Sequence, residues 1–477
     1  MRLALDILLK TNCLSSRPSM ETLFTPAAPW YLLSVALVAV LLLLALIVKL
    51  RIHAFIALCL VSLVTALVTG IPVVQVVPTL LSSFGGTLAS VALLVGLGAM
   101  IGKLLEVSGG AQVLAERLVS SFGEKRAPLA LGIASLCFGF PIFFDAGLIV
   151  MMPIIFSVAK RFGGSVLAYA LPAAGAFAVM HAFVPPHPGP VAAAGFLGAD
   201  MGLLLLIGLL IALPTWYVGA YLYSRYASQR FNIPLNSLLF SSEPDQTISD
   251  KPSFISVLSI LLLPVLLIFM DTGLNTLLTA GLIQGDNSFI DGLRLLGKTP
   301  VALLITLLLC IVLFSRRYSM AKIEAWCGDS LAPICGVILV TGAGGMFGGV
   351  LRASGIGDAL AGLLADTGMP IIVAGFIISA CLRVAQGSAT VALTTTAALL
   401  TPVVATATGL SAIDLCCVVI AIAGGATVLS HFNDSGFWLV SRLLNMDEKT
   451  TLKTWTVMET LLGTIAFLLA LLLSVIF

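Results

Sequence analysis

The sequence predicts an all-helical membrane protein that crosses the bilayer many times. Hydrophobic residues make up 59% of the 477 residues and charged residues only 10%, and the mean hydropathy is +1.13. Apolar runs longer than the roughly 18 to 20 residues that span a bilayer recur along the chain. The net charge of +2, without any basic run, argues against a nucleic-acid partner. The lipid bilayer is therefore the predicted surrounding of most of the chain.

Basic turns between the apolar runs predict the orientation of the crossings. The first crossing covers residues 28–48 and the second 52–70, with Lys49 and Arg51 between them. Because cytoplasmic loops are rich in Lys and Arg, this turn is expected inside the cell. The same rule places Lys125, Arg161 and Arg230 inside, and the region of Asp286 and the C-terminus outside. The further crossings are predicted at about residues 84–106, 172–202, 203–223, 253–270, 300–315, 329–351, 412–432 and 454–477.

Residues 127–161 have a pattern typical of a re-entrant helical hairpin. Two apolar limbs, about 128–138 and 143–158, are separated by a break, and basic residues stand at both ends. A limb of about 11 residues is too short to cross a bilayer, so a hairpin that enters and leaves on the cytoplasmic side explains the pattern. One long kinked crossing remains the alternative. A second hairpin is predicted at 369–405, broken around 385–390.

Prolines interrupt the predicted crossing 172–202 near its end. Each proline removes a backbone donor, and unpaired backbone at membrane depth is tolerated where it lines a wet cavity or is buried in protein. The alternative is a proline kink that ends the helix at the membrane surface. The residues of this break are His181, Pro185, Pro186, His187, Pro188 and Pro190.

An internal repeat favours a cavity over a kink. Residues 96–115 align without gaps with residues 342–361 at an offset of 246, with nine identities in twenty, and the segment around His181 aligns with the one around His431. Five crossings and one hairpin in each half would make the repeats inverted, with broken helices meeting at the midplane. The predicted parts are an extramembrane extension at 1–26, a first repeat at 27–223, a cytoplasmic linker at 224–252 and a second, inverted repeat at 253–477. The sequence leaves open whether translation starts at Met1 or Met20.

Two hairpin tips and two broken helices form the predicted binding site. Half-helix N-termini present backbone N–H groups that favour an anion, and Ser, Thr and Asn side chains can pair hydroxyl groups, so a hydroxy-carboxylate fits. Arg383 is either a carboxylate clamp or the partner of Asp145 or Asp434. The predicted substrate-binding residues are Phe140, Pro141, Asp145, His187, Pro188, Gly189, Arg383, Gln386, Gly387, Ser388, Thr390, Asn433, Asp434 and Ser435. The predicted proton-coupling candidates are Asp145, Asp434, His181 and His431.

The pattern does not predict an enzyme. The histidines lack metal-ligand spacing, no strand-turn-helix serine motif is present, and no cofactor or metal is expected. A channel is a second alternative, because hairpins also build selectivity filters. The repeat architecture favours a carrier.

Four stretches, GFPIFFDAG, HAFVPPHPGP, RVAQGSATVALTT and GGATVLSHFNDSGFWLVSR, resemble the gluconate permease family. The resemblance runs from about residue 85 to the C-terminus. It implies a secondary carrier of the bacterial inner membrane that takes up a sugar acid with protons. A D-serine or glycerate carrier on the same scaffold, or a sodium-coupled carboxylate carrier, remains an alternative. The sequence also leaves open whether the chain works as a monomer or a homodimer.

Overall fold

A computed structural model describes residues 28–231, 233, 251–279, 283, 288–431 and 434–477. All regular secondary structure in these residues is helical. The predicted extension 1–26, most of the linker, and the predicted positions Asp286 and Asn433 lie outside the described residues.

The first half begins with helices that match most predicted crossings. Its last two helices are joined by a π-helical segment, Tyr217–Leu222. The second of them ends at Arg230, beyond the predicted start of the linker at 224. The helices are α1 (Pro29–Leu44), α2 (Ala54–Val68), α3 (Val73–Val107), α4 (Gly110–Phe122), α5 (Ala127–Gly139), α6 (Phe144–Phe162), α7 (Leu167–Phe183), α8 (Pro188–Leu197), α9 (Met201–Trp216) and α10 (Tyr223–Arg230).

The second half has a closely similar order of long and short helices. A π-helical segment, Leu452–Thr456, precedes its last long helix. The helices are α11 (Phe254–Thr279), α12 (Ser288–Gly297), α13 (Thr299–Ser315), α14 (Met320–Asp329), α15 (Leu331–Ala353), α16 (Ile356–Thr367), α17 (Ile371–Gln386), α18 (Ala389–Thr406), α19 (Ala412–Thr427), α20 (Ser435–Leu443), α21 (Glu448–Thr451) and α22 (Val457–Ile476).

Many of these helices are long and apolar enough to span a bilayer. Within the described residues there are eight such helices, or up to nine if α12 and α13, bent by 69° at their junction, count as one span. Their outer faces carry exposed apolar side chains such as Leu37, Leu210 and Leu468. The prediction of a multi-pass, all-helical membrane protein is confirmed.

Two predicted boundaries were wrong. The third crossing was expected at about 84–106, but α3 begins at Val73 and includes Pro78. A proline in the second turn of a helix removes one N–H donor near the end of the ladder, where few bonds are lost. The crossing predicted at about 253–270 is longer than expected, because α11 runs to Thr279, and α12 follows before the crossing predicted at 300–315.

The breaks lie where the sequence placed them. Residues 140–143 separate α5 from α6, and residues 387–388 separate α17 from α18. Helix α5 has 13 residues, or about 20 Å, too short to cross a hydrocarbon core of about 30 Å. The proline-rich segment 184–187 separates α7 from α8, with a cis bond between Pro185 and Pro186.

The order of elements repeats at a nearly constant offset. Helix α6 begins at Phe144 and α18 at Ala389, an offset of 245, and α7 begins at Leu167 and α19 at Ala412, again an offset of 245. Helix α5 packs on α7, and α17 packs on α19 in the same way. The broken elements of both halves therefore have matching local surroundings.

Small residues bring the halves together. Helices α3 and α15 pack along their length. A Cβ added at Gly345 would collide with the Thr87 side chain, and one added at Gly349 would collide with Ser83. Small residues at such spacing allow close helix approach in membranes, where van der Waals packing replaces the hydrophobic effect. The broken helices α8 and α18 are packed against each other inside this frame.

Candidate functional site

The four breaks surround one cavity of about 770 Å³. The N-terminal residues of four helices line it: Phe144 of α6, Pro188 of α8, Ala389 of α18 and Ser435 of α20. The first turn of a helix carries the positive end of the helix dipole and N–H groups without intrahelical partners. Pro188 and Pro190 lack this donor in α8, and side-chain caps accept one N–H each in α18 and α20. Four such ends directed at one space favour a bound anion.

A buried ion pair stands at the break between α19 and α20, which we call the second break; the first break is the segment 184–187 between α7 and α8. The Arg383 side chain is 3% exposed, and its Nη2 donates to Asp434 Oδ2 at 2.5 Å. Its Nη1 donates to the carbonyl of Gly387 at the tip of the second hairpin. Asp434 also caps α20, since its Oδ1 accepts from the backbone N–H of Gly436 at 3.1 Å. One arginine thus ties the second hairpin tip to the second break.

The π-helical segment before α22 adds an aromatic wall to this cluster. Trp455 lines the cavity and donates from Nε1 to Ser430 Oγ at 2.8 Å. Ser430 donates in turn to Asp434, and its carbonyl accepts from the Thr456 hydroxyl. The Trp455 ring lies 5.4 Å from the ring of Phe144, centroid to centroid. The indole therefore bridges the second break and the first hairpin.

Among the described residues, no ion pair holds the first break together. His187 is 3% exposed, and its Nε2–H donates to the carbonyl of Gly139 at 2.8 Å, joining the break to the first hairpin. The rings of His181 and His187 lie 4.9 Å apart, and the Phe143 ring lies 5.9 Å from His181 and 6.0 Å from His187. This junction is an aromatic cluster with one neutral hydrogen bond.

The tip of the second hairpin is shaped by two residues that suit a helix start. Gly387 has φ of +80°, a left-handed conformation that glycine adopts without strain. Ser388 then caps α18, its Oγ accepting from the N–H of Val391 at 3.3 Å. Ser388 and Thr390 both line the cavity. In contrast, Phe143 precedes α6 without a side-chain cap.

Charged side chains from α3 and α14 also line the cavity. Lys103 Nζ lies 3.0 Å from Glu106 Oε1, one turn apart on α3, and both residues line the cavity. Asp329 at the end of α14 and the following Ser330 also line it. The Lys103–Glu106 pair is thus an ion pair at the helix end, as its spacing indicates.

The structure brings most of the predicted site residues to the cavity. Arg383 pairs with Asp434 rather than with Asp145, and Asp145 stands in the first turn of α6. Phe140, His187, Gly189 and His431 do not line the cavity, and His431 instead donates from Nε2 to the Val384 carbonyl at 3.0 Å. Asn433 and the side chain of Gln386 lie outside the described part. The predicted residues that line the cavity are Pro141, Asp145, His181, Pro188, Arg383, Gly387, Ser388, Thr390, Asp434 and Ser435.

Sequence reasoning missed three cavity residues on the last two long helices. Thr427 ends α19, and Trp455 and Glu459 come from the π-helical segment and α22. A signal for Glu459 was present, because it is the one acidic residue after Glu448 in an otherwise apolar span. Ionisable residues inside membrane spans are expensive and mark functional sites.

A profile of the family described as "GntP family permease" matches residues 31–476. The chain belongs to the GntP family of permeases. The expected gluconate permease resemblance is thereby confirmed. Since the match covers nearly the whole chain, the cavity and the breaks lie within the matched residues.

Named relatives of this GntP family permease cover almost its full length. It is 41% identical to the inner membrane permease YgbN of Escherichia coli, with 92% of this chain and 97% of the relative covered. It is 36% identical to a gluconate permease of Pseudomonas aeruginosa, with 94% and 98% covered. It is also 36% identical to the low-affinity gluconate transporter of Escherichia coli, with 90% and 94% covered.

Two solved structures share the fold. The YdaH transporter of Alcanivorax borkumensis aligns with a TM-score of 0.61 at 16% identity, covering 89% of this chain and 98% of that one. MtrF of Neisseria gonorrhoeae aligns with a TM-score of 0.62 at 14% identity, covering 90% and 96%. At these identities the likeness concerns the fold alone.

Proposed function

We propose that this permease is an inner-membrane carrier that takes up a small hydroxylated monocarboxylate of the gluconate class by proton symport. Relatives named gluconate permease and gluconate transporter support the substrate class. The observation that carries the proposal is the convergence of four helix N-termini and Arg383 on one cavity. Its volume of about 770 Å³ lies within the range of about 300 to 1,000 Å³ that is usual for small-ligand sites.

The polar groups around the cavity match a hydroxylated carboxylate. Arg383 and the helix N-termini supply donors for a carboxylate group. Hydroxyls of Ser388, Thr390 and Ser435 line the same space and can both donate to and accept from substrate hydroxyl groups. A phosphorylated sugar would bring at least one further negative charge, whereas both cations among the described lining residues, Lys103 and Arg383, are already paired with carboxylates.

The charges of the cavity support proton coupling. Lys103 is paired with Glu106 and Arg383 with Asp434, while Asp145 and Glu459 also line the cavity. An anion that enters this space meets carboxyl groups whose ionised form would repel it in a medium of low dielectric. Protonation of one of them removes that repulsion. Substrate and proton would therefore bind together.

Alternating access is part of the proposal. The matching order of helices in the two halves, with their shared offsets, is what an inverted repeat of 27–223 and 253–477 would produce, with paired re-entrant hairpins at α5–α6 and α17–α18. Lys103, Glu106 and Asp329 line the cavity. The basic loops predict a cytoplasmic location for the helix ends that carry these residues, which supports an inward-facing conformation of the carrier.

Uptake into proteoliposomes tests the function. With an imposed proton gradient, labelled gluconate should accumulate, and unlabelled gluconate, idonate, glycerate and D-serine, supplied in excess, rank the substrates. Failure of all four to compete would remove the sugar-acid assignment. Accumulation driven by a sodium gradient, with no response to the proton gradient, would establish the sodium-coupled alternative. If gluconate only equilibrated to the same concentration inside and outside the vesicles, without accumulation, the protein would be a channel.

Cysteine labelling tests the orientation. In a variant without native cysteines, a cysteine at Arg230 should react only with reagent admitted to the cytoplasm, while one at position 283 should react from outside. A cysteine at Phe477 should also react from outside. If position 283 is protected in intact cells while position 230 is labelled from outside, the inverted arrangement is wrong.

A further inference from the structure

Glu459 is a buried carboxyl group that the predicted site did not include. It lies in the first turn of α22, is 5% exposed and lines the cavity. Its Oε1 has no hydrogen-bond partner in the part of the chain that the structure describes. An ionised carboxylate in such a place is costly unless it is paired, so the neutral acid suits this conformation.

A second unpartnered group faces the same space. Arg383 uses Nη1 for the Gly387 carbonyl and Nη2 for Asp434, but its Nε has no partner among the described residues. Arg383 and Asp434 are the charged groups that act on Glu459 electrostatically. A donor without an acceptor and a carboxyl oxygen without a donor thus line one cavity. The Arg383 Nε–H could donate to Glu459 Oε1, and this one hydrogen bond would satisfy both groups.

Packing fixes Glu459 in this position. One turn further along α22, the backbone of Gly463 meets the backbone of Gly424 on α19, and a Cβ at either glycine would collide with the carbonyl of the other. Backbones that approach so closely leave the helices little freedom to slide. Glu459 is therefore held at the cavity wall, and movement of the arginine is the simpler way to bring the two groups together.

We propose that Glu459 is the residue that binds the coupling proton and that its ionised form competes with the substrate for Arg383. With a proton on Glu459, the guanidinium is free to bind the substrate carboxylate. When the proton leaves to the cytoplasm, the Glu459 carboxylate accepts from Arg383 Nε and displaces the substrate anion. The inference deepens the proposed proton symport and rests on it.

The other ionisable groups near α22 suit this role less well. Asp434 already accepts from Arg383, Ser430 and the Gly436 N–H. His181 of α7 lines the cavity within the aromatic cluster, and Asp145 is exposed to it. Asp414 of α19 lies at the other end of α22, where it accepts from Ser474 at 2.7 Å. In the described part of the chain, the remaining ionisable side chains on segments packed against α22 are Lys453 of the π-helical segment, tyrosines and cysteines.

The pH dependence of binding tests the proposal. Because protonation of Glu459 favours the anion, the Kd of the purified wild type for gluconate should rise by about tenfold or more as the pH is raised from acid to alkaline. In Glu459→Gln the uncharged amide mimics the protonated acid, so gluconate should bind tightly at all pH values. Glu459→Asp, which can still ionise, should keep the pH dependence. The matched control is Glu448→Gln, an exposed carboxyl beside the same helix, which should behave as wild type.

Transport by the same variants gives a second readout. Glu459→Gln should exchange labelled for unlabelled gluconate but should no longer accumulate it in response to a proton gradient. Wild-type pH dependence or normal accumulation in Glu459→Gln would overturn the proposal, and so would loss of binding in a variant that melts as the wild type does. If the wild type itself fails to bind gluconate or responds only to sodium, the proposed function fails instead.

Discussion

The two breaks occupy matching places in the two halves but are built from different chemistry. At the first, His187 donates a neutral hydrogen bond to the Gly139 carbonyl inside an aromatic cluster. At the second, a buried ion pair joins Arg383 to Asp434. A neutral bond can hold two segments together, but it offers little to a charged solute. We propose that the histidine side chain of the first break is structural, while the charged side chains of the second break bind the anion and respond to the proton.

Removing the Asp434 carboxylate should have the largest effect on stability. Asp434→Ala leaves the buried Arg383 charge without its partner, which costs about 3 to 5 kcal/mol. Thermal unfolding in detergent measures the loss. The matched control is Asp200→Ala, since Asp200 also caps a helix, accepting from the Leu203 N–H at 2.7 Å, but has no ion pair among the described residues. Equal losses in the two variants would mean that the ion pair contributes nothing beyond a helix cap.

Removing both partners should restore part of that loss. Arg383→Gln combined with Asp434→Asn leaves neither member of the ion pair as an unpaired buried charge. The loss of unfolding free energy in the double variant should therefore be smaller than the sum of the losses in the two single variants, by about 1 to 3 kcal/mol. A double-mutant cycle of unfolding free energies gives this coupling energy. Additive effects would show that the two side chains do not interact, contrary to the 2.5 Å contact.

The first break should show a smaller effect, confined to stability. His187→Phe keeps an aromatic ring but leaves the Gly139 carbonyl without its donor, at a cost of about 1 to 3 kcal/mol. The KM for gluconate uptake should stay within about twofold of the wild type, because His187 does not line the cavity. His187→Gln, which retains a donor, should recover part of the stability. A KM increased tenfold at unchanged stability would place His187 in the binding site.

The hairpin tips offer the mildest test of the comparison. Ser388 caps α18, whereas α6 begins after Phe143 without a side-chain cap. Ser388→Ala should cost about 1 kcal/mol, and Ser388→Asp, which can still cap, should cost less stability. Unfolding midpoints compare the variants. An unchanged midpoint in Ser388→Ala would mean that the second tip depends on its cap no more than the first does.

Features with a local physical cause could be read from the sequence. The prolines at 185–190 forced a break because each one removes a backbone donor, and the short limb at 128–138 could not reach across a bilayer. The start of α3 at Val73 was missed because a proline near a helix N-terminus is tolerated, so Pro78 did not mark a boundary. Helix ends are therefore harder to predict than helix interiors.

The sequence predicted those site residues that lie beside an interrupted helix. Arg383, Asp434 and Ser388 lie beside interrupted helices, and the structure brings them together. Glu459 lies in an unbroken helix about 76 residues after Arg383, and only the packing of α22 on α19 turns it to the cavity. Sequence periodicity does not reveal which face of an almost uniformly apolar helix meets a cavity. Partners brought together by such packing need a structure.

The most direct test of the division between the two breaks is gluconate binding to purified variants. The double variant Arg383→Gln with Asp434→Asn should bind gluconate about 100-fold or more weakly, because hydrogen bonds to a charged group contribute about 1.5 to 3 kcal/mol each. His187→Gln should bind within about threefold of the wild type. Unchanged affinity in the double variant, together with loss of binding in a stably folded His187→Gln, would contradict the account.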